Sequence, residues 1–244
     1  MRADRHIGVV ILFDSLAAYR GQVGAAPNVG DVRARVLRWV QHGGIPATFA
    51  VADPLNNPWA AAIQSSPRAE LALAVEGCGR ASWQRAAERL EASRDASLEL
   101  TSALIVGDQL PARERRPIGV DIWAYWKPTH DLQIPVQPWQ DKDGWQIPLR
   151  AWSEPRGGRS STGWWRPGQV NWSSQLPPVG RRYSWILPVM SYSASQLQSC
   201  EALFKQLATW SRQGLVALET LSQTVYSLQS QAQPASQRSI LRAA

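Results

Sequence analysis

The stretch Ile7–Leu16, IGVVILFDSL, decides the fold. Seven apolar or glycine residues, Ile7 to Phe13, run directly into Asp14 and Ser15. A run this apolar and this rich in β-branched residues reads as a strand covered on both faces, the environment of a parallel sheet. Parallel α/β folds carry their chemistry at the carboxyl ends of their strands. Asp14 therefore stands where a catalytic carboxylate would sit.

The sequence on either side alternates in the same style. Asp31 reads as the N-cap of a helix, DVRARVLRWVQH, with Val32, Val36, Leu37 and Val40 on one face and Gly43 past its end. Strands are expected at Pro46–Ala52, Glu70–Glu76, Thr101–Val106 and Pro117–Ile122. A short helix at Pro58–Ser65 and a longer one capped by Ser82 lie between them. This β–α–β–α rhythm predicts a parallel sheet or barrel. Near Trp123 the composition changes. Eight of the 13 tryptophans fall between Trp123 and Trp172, among dense Pro, Gly and Ser, which predicts short strands or irregular loops rather than helices. Regular structure returns with a strand at Tyr183–Met190. An amphipathic helix follows at Ser195–Arg212, with Leu203, Phe204, Leu207 and Trp210 inward and Gly214 closing it. A short strand at Leu215–Leu218 and a helix from Thr220 to about Leu228 complete the pattern. The organisation expected is one α/β domain over residues 1–230, with an irregular Trp-rich segment at about 123–182, and a polar tail at 231–244.

Composition narrows the classes. A hydrophobic content of 44% is that of a chain with a packed core, not a disordered one. No apolar run approaches the roughly 20 residues of a membrane span, and no small-residue cleavage site follows the charged MRADRH start, so a cytoplasmic location without membrane contact is expected. Cys78 and Cys200, far apart in sequence, allow a single disulfide, but two unpaired buried thiols in a reducing cytosol is the plainer expectation. The net charge is +7, and only three of the 26 basic residues (Lys127, Lys142 and Lys205) are lysines. Arginine forks suit carboxylates and phosphates, so a polyanion or nucleic-acid partner is one reading, and a compositional bias toward Arg is the other.

Four segments, in order, resemble the polysaccharide deacetylase (NodB-homology) family. ILFDS, ending in Asp14, is similar to the family's T-F-D-D-G motif, in which one Asp is the general base and the next a metal ligand. GGIPATFAVA at Gly43–Ala52 resembles the family's GIPATFFV turn and strand. AELALAVEG at Ala69–Gly77 lies where the family writes a short strand before H-x-x-x-H. RQGLVALETL, from Arg212, resembles the closing G-x-x-x-x-T-L segment. The resemblance implies a divergent (β/α) barrel of the polysaccharide-deacetylase type carrying an irregular Trp-rich insertion. It implies metal-dependent removal of an N-acetyl group, in which the ion polarises the carbonyl and activates water.

The ligands for that chemistry are missing. Ser15 stands in the metal-ligand position. The only histidines are His6, His42 and His130, none at H-x-x-x-H spacing. Where the pair is expected the chain reads Ala74-Val75-Glu76-Gly77-Cys78-Gly79-Arg80, and Ile186–Met190 has no L-x-H. The expectation is therefore a degenerate, non-catalytic member without metal or other cofactor, retaining carbohydrate or protein binding. A metal-independent hydrolase acting on C–N or glycosidic bonds through Asp14 and Glu76 is the alternative. Each candidate has a plainer role as well. Asp14 can cap a loop by accepting backbone N–H groups. Cys78, between two glycines, can be a turn residue rather than a nucleophile, and His42 can interact with the dipole at a helix end. Trp164, Trp165 and Arg166 can form a sugar-binding platform, or pack a loop-rich segment onto the core.

Overall fold

The computed structural model describes residues 4–14, 29–77, 79–107, 120–126, 137–142, 144–152 and 172–232. Its centre is β1 (His6–Leu12), in which every residue after His6 is buried. β1 is followed by α1 (Val29–Gly43), β2 (Ala47–Val51), α2 (Ala60–Gln64), β3 (Ala69–Glu76), α3 (Arg80–Asp95), β4 (Ser102–Val106) and β5 (Ile122–Trp126). Then come β6 (Trp139–Asp141), β7 (Gly144–Pro148), β8 (Arg150–Ala151), β9 (Arg182–Leu187), α4 (Ala194–Arg212), β10 (Ala217–Glu219) and α5 (Leu221–Ala232). The four strands expected around Asp14 are parallel neighbours in the order β1-β2-β3-β4, paired Leu12 with Ala50, Ala50 with Ala72, and Leu73 with Ala103.

The sheet is curled, with strand order β6-β7-β5-β4-β3-β2-β1-β9-β8 and β10 beside the first half of β1. β7 and β8 are consecutive in the chain, but β8 ends that path and β7 stands next to its other end. Ile147 and Pro148 pair with Ala124 and Tyr125, the Leu149 N–H donates to the Tyr125 carbonyl, and Arg150 and Ala151 pair with Trp185 and Ile186.

The period-2 pattern of each strand separates two cores. Ile7, Val9, Ile11, Phe49, Leu73 and Ile105 pack outward with α1, α3 and α4. Val10, Leu12, Ala50, Ala74, Leu104 and Ala124 pack inward. Leu221 and Val225 of α5 belong to the inner cluster, so this helix lies on the inner face of the sheet. Gly8 makes room there: a Cβ on Gly8 would sit 3.1 Å from Ser184 Oγ and 3.6 Å from Thr224 Oγ1. α5 opens on a capping box, Thr220 N–H to Gln223 Oε1 (3.0 Å) and Gln223 N–H to Thr220 Oγ1 (3.2 Å). Its next two N–H groups are taken by residues remote in sequence, Leu221 by Thr48 Oγ1 and Ser222 by Glu70 Oε2, both at 2.9 Å. Glu70 also accepts from Ser102 Oγ (2.5 Å). A carboxylate at a helix N-terminus is favourable, and here it ties α5 to the amino ends of β2, β3 and β4.

Several expected boundaries shift. Asp31 is not the N-cap; α1 begins at Val29 and Asp31 lies in its first turn, where its charge still opposes the helix dipole. Ser82 is inside α3, whose N-cap is Gly79. α4 starts one residue early, at a Ser193–Gln196 capping box. The left-handed residue after α1 is Gly44 (φ +61°), not Gly43. β9 ends at Leu187 because Pro188 follows and cannot continue the ladder. The largest correction is β5. The strand expected at Pro117–Ile122 runs from Ile122 to Trp126, and residues 117–119 lie outside the described residues. Trp-Ala-Tyr-Trp alternates faces, with Ala124 and Trp126 inward and Trp123 and Tyr125 outward, so the Trp-rich region begins inside the sheet.

Candidate functional site

Asp14 follows β1 at the carboxyl end of the sheet, and both of its oxygens are engaged. Oδ1 accepts from Arg33 Nη2 at 2.9 Å, and Oδ2 accepts the backbone N–H of Ala52. Arg33 projects from α1 and also donates through Nε to the Phe13 carbonyl (2.8 Å), so one guanidinium grips two consecutive residues at the end of β1. Both partners are mostly buried, with side chains 18% and 20% exposed for Arg33 and Asp14. Ala52 is held from the other side as well: its carbonyl accepts from Arg89 Nη1 of α3 at 2.7 Å. The result is a chain of contacts, Arg33–Asp14–Ala52–Arg89, that fixes the exit of β2. Just beyond it, Asp53 accepts from the Asn56 side chain (2.9 Å) and backbone (3.3 Å). The Asn56 side-chain bond, against some desolvation and with help from the Arg89 charge, holds the Asp53 carboxyl below its ordinary pKa.

Glu76 ends β3, two strands away from Asp14. From the register, Asp14 is level with Ala74, so the two acids lie about 10 Å apart across the sheet and about 7 Å along it at their Cα atoms. β2 and the Ala52 peptide lie between them. Glu76 instead lines a cleft of about 240 Å³ between the end of β3 and α3. Leu73, Val75 and Ala86 give the cleft an apolar wall; Ser82, Arg85 and Arg89 contribute its other polar groups. Asp14 is not among the residues that line it.

The remaining candidates fall elsewhere. His6 is at the amino end of β1, opposite Asp14, with Nδ1 2.8 Å from Glu219 Oε1. Glu219 also receives Arg182 Nη1 at 2.6 Å. Burial pulls the Arg182 guanidinium down from its ordinary pKa, while Glu219 favours its charged form. This buried group was not among the expected site residues. Its only sequence signal was three ionisable residues, each directly flanking an expected strand: Ile7–Phe13, Tyr183–Met190 and Leu215–Leu218. His42 is in the last turn of α1, where a cation suits the dipole. Cys200 is a free, fully buried thiol, and burial pushes its pKa up. Cys78, His130, Trp164, Trp165 and Arg166 lie outside the described residues. Of the other tryptophans in that cluster, Trp123, Trp126 and Trp152 are buried, and Trp139, Trp145 and Trp172 are partly buried. Trp123 stacks edge-on against Trp83 of α3 with centroids 5.8 Å apart.

The side chains do not fit a metal site of the kind that the family resemblance implies. The one retained acid is bound to Arg33, and the described histidines stand away from it, His6 at the far end of β1 and His42 in the last turn of α1. Among the described residues no three His, Cys, Asp or Glu side chains converge. Also among them, no helix is long and apolar enough to cross a membrane.

No family model matches the chain, and no curated protein does. Among solved structures, the chain is similar to a Bordetella bronchiseptica protein described as "a putative polysaccharide deacetylase involved in o-antigen biosynthesis". The identity is 14%, the match covers 92% of this chain and 90% of that one, and the TM-score is 0.42. A likeness of this size is one of fold at most, and the function must be argued from the site.

Proposed function

We propose that this chain is a divergent barrel of the deacetylase type whose first-motif aspartate has become a structural residue, and that it works by binding rather than by hydrolysis. The observation that carries this reading is the state of Asp14. Each oxygen holds a contact to the fold, one accepting from a guanidinium and the other from a backbone N–H, which is how a carboxylate that caps a strand end is used. The paired-carboxylate alternative gains no support from the geometry, because β2 separates Asp14 from Glu76 and the glycosidase mechanisms need carboxyl groups within about 5–9.5 Å.

Carbohydrate is the proposed ligand class, with protein as the second. Trp164, Trp165 and Arg166 are the proposed contact residues, because flat aromatic and planar cationic groups together suit sugar faces. The test incubates the purified protein with N-acetylated chito-oligosaccharides, with and without added zinc, and follows acetate release and binding together. Binding without acetate release is expected. Acetate release that disappears in Asp14→Asn would overturn the reading.

A further inference from the structure

The outer face of β5, β7 and β6 carries a buried amide with which the fold makes no hydrogen bond. Gln146 of β7 is level with Trp123 of β5 on one side and with Trp139 of β6 on the other. Register partners share a face, so these three side chains lie on the outer face with Tyr125, two residues beyond Trp123. Tyr125 and Trp139 come from the strands on either side of β7, and their rings meet edge to face with centroids 5.5 Å apart. The two rings therefore close over β7 at Gln146. Gln146 is 1% exposed, and among the described residues neither its Nε2 nor its Oε1 has a hydrogen-bond partner. The buried Tyr125 hydroxyl has none there either. A buried amide left without partners costs the fold stability, and an aliphatic side chain of the same shape does not. The fold thus gains nothing from the amide of Gln146, and an occupant that pairs with it does.

We propose that Gln146 and the Tyr125 hydroxyl form a contact site for a neutral, hydroxyl-bearing ring, a single pyranose unit, with the Trp139 indole as its door. Gln146 Nε2 donates to one sugar hydroxyl, Oε1 accepts from its neighbour, and the Tyr125 hydroxyl meets a third. The carbon face of the sugar lies on the Tyr125 ring. Trp123, Tyr125, Trp139 and Gln146 carry no charge, and an ion placed among them would lose its hydration without a counter-charge, so the ligand is neutral. Trp139 is the partly exposed member of these four and sits on β6, the three-residue strand that ends the sheet path. Its indole is therefore the part that turns aside, giving up one ring contact and freeing an indole-sized space over Gln146. The inference rests on the carbohydrate reading above and adds to it a second contact point, on the outer face of the sheet.

The test titrates the full chain with glucose and, separately, with glucuronate, following tryptophan fluorescence, and records Tm of each variant without sugar. A saturable response to glucose and none to glucuronate is expected. Gln146→Leu should weaken glucose binding about tenfold or more, the loss of paired hydrogen bonds, while its ligand-free Tm equals or exceeds that of wild type. A side chain that only packs the sheet would not separate the two readouts in this way. Trp139→Ala, which removes the door, should bind glucose more tightly than wild type. The proposal is overturned if glucose gives no response, if glucuronate responds as glucose does, or if Gln146→Leu binds glucose as wild type does. A lowered ligand-free Tm in Gln146→Leu overturns it too, because the amide would then serve the fold, as does Trp139→Ala binding no more tightly. If chito-oligosaccharides bind and glucose does not, this site falls and the carbohydrate reading stands. If acetate release depends on Asp14 while the glucose response persists, the binding-only reading falls and this site stands.

Discussion

Replacing Asp14 by Ala removes both acceptors of the clamp at the end of β1, and the structure sets the size of the loss. The Arg33–Asp14 pair is about four-fifths buried on each side, so screening reduces but does not abolish it; such a pair contributes about 0.5–1 kcal/mol. The Ala52 N–H and the Arg33 guanidinium are then left without their partner in a part-buried place, a further cost of about 1–2 kcal/mol. The sum is about 2 kcal/mol, or roughly 4–8 °C in Tm for a chain of this length. Asp14→Asn keeps an amide oxygen for the Ala52 N–H but loses the charge facing Arg33, and about half the effect, ~1 kcal/mol, is expected. Urea unfolding of wild type and both variants measures this, with an unchanged m-value showing that the denatured state is not what moved. A double-mutant cycle with Arg33→Ala should return a coupling of about 0.5–1 kcal/mol. The reasoning is refuted if Asp14→Ala is as stable as wild type or more so. The carboxylate would then be one the fold gains nothing from, as at sites kept for chemistry, and the structural reading of Asp14 would fall.

Three further outcomes follow from buried groups. Glu219→Ala strands Arg182, whose side chain is 7% exposed, and should cost about 3–5 kcal/mol by denaturant titration, with Glu219→Gln costing clearly less. Trp123→Ala empties a site 1% exposed and ends the stacking with Trp83, a loss of about 3–5 kcal/mol that a thermal melt detects. Burial pushes the Tyr125 hydroxyl's pKa above its ordinary value, so below pH about 10 folded and unfolded chains both keep the phenolic proton and stability is unaffected. Above that pH the unfolded chain releases the proton and the folded one does not, so Tyr125 makes stability fall as pH rises. In a spectrophotometric titration, Tyr125→Phe should remove one phenol that ionises only when the chain unfolds.

The parallel sheet was legible in the local pattern of residues. An unbroken apolar run needs cover on both faces, and only crossover connections supply it, so Ile7–Phe13, Ala47–Ala52, Leu71–Val75 and Ala103–Val106 could be set as parallel neighbours with Asp14 at their carboxyl end. The inward faces of α1 and α4 were legible for the same reason: Val36, Val40, Leu203 and Phe204 repeat at the helical period. The loop-capping role weighed for Asp14 was legible in outline from its place after the strand. Its partners were not. Arg33 is 19 residues away and the Ala52 N–H 38 residues away, and nothing in local sequence distinguishes Arg33 from its neighbours Arg35 and Arg38. The placement of α5 was equally hidden. A capping box announces that a helix starts at Thr220, but its seat on the inner face depends on Thr48 and Glu70, 173 and 152 residues away, meeting its first N–H groups. The pairing of Arg85 and Arg89 in one cleft has the same origin. Periodicity puts them on one face of α3, and only the packing of α3 against β3 and the end of β2 makes that face one wall of a cleft. Local pattern decides how a segment is shaped because its physics is short-ranged. Which charges find partners is decided by contacts that exist only when distant segments come together.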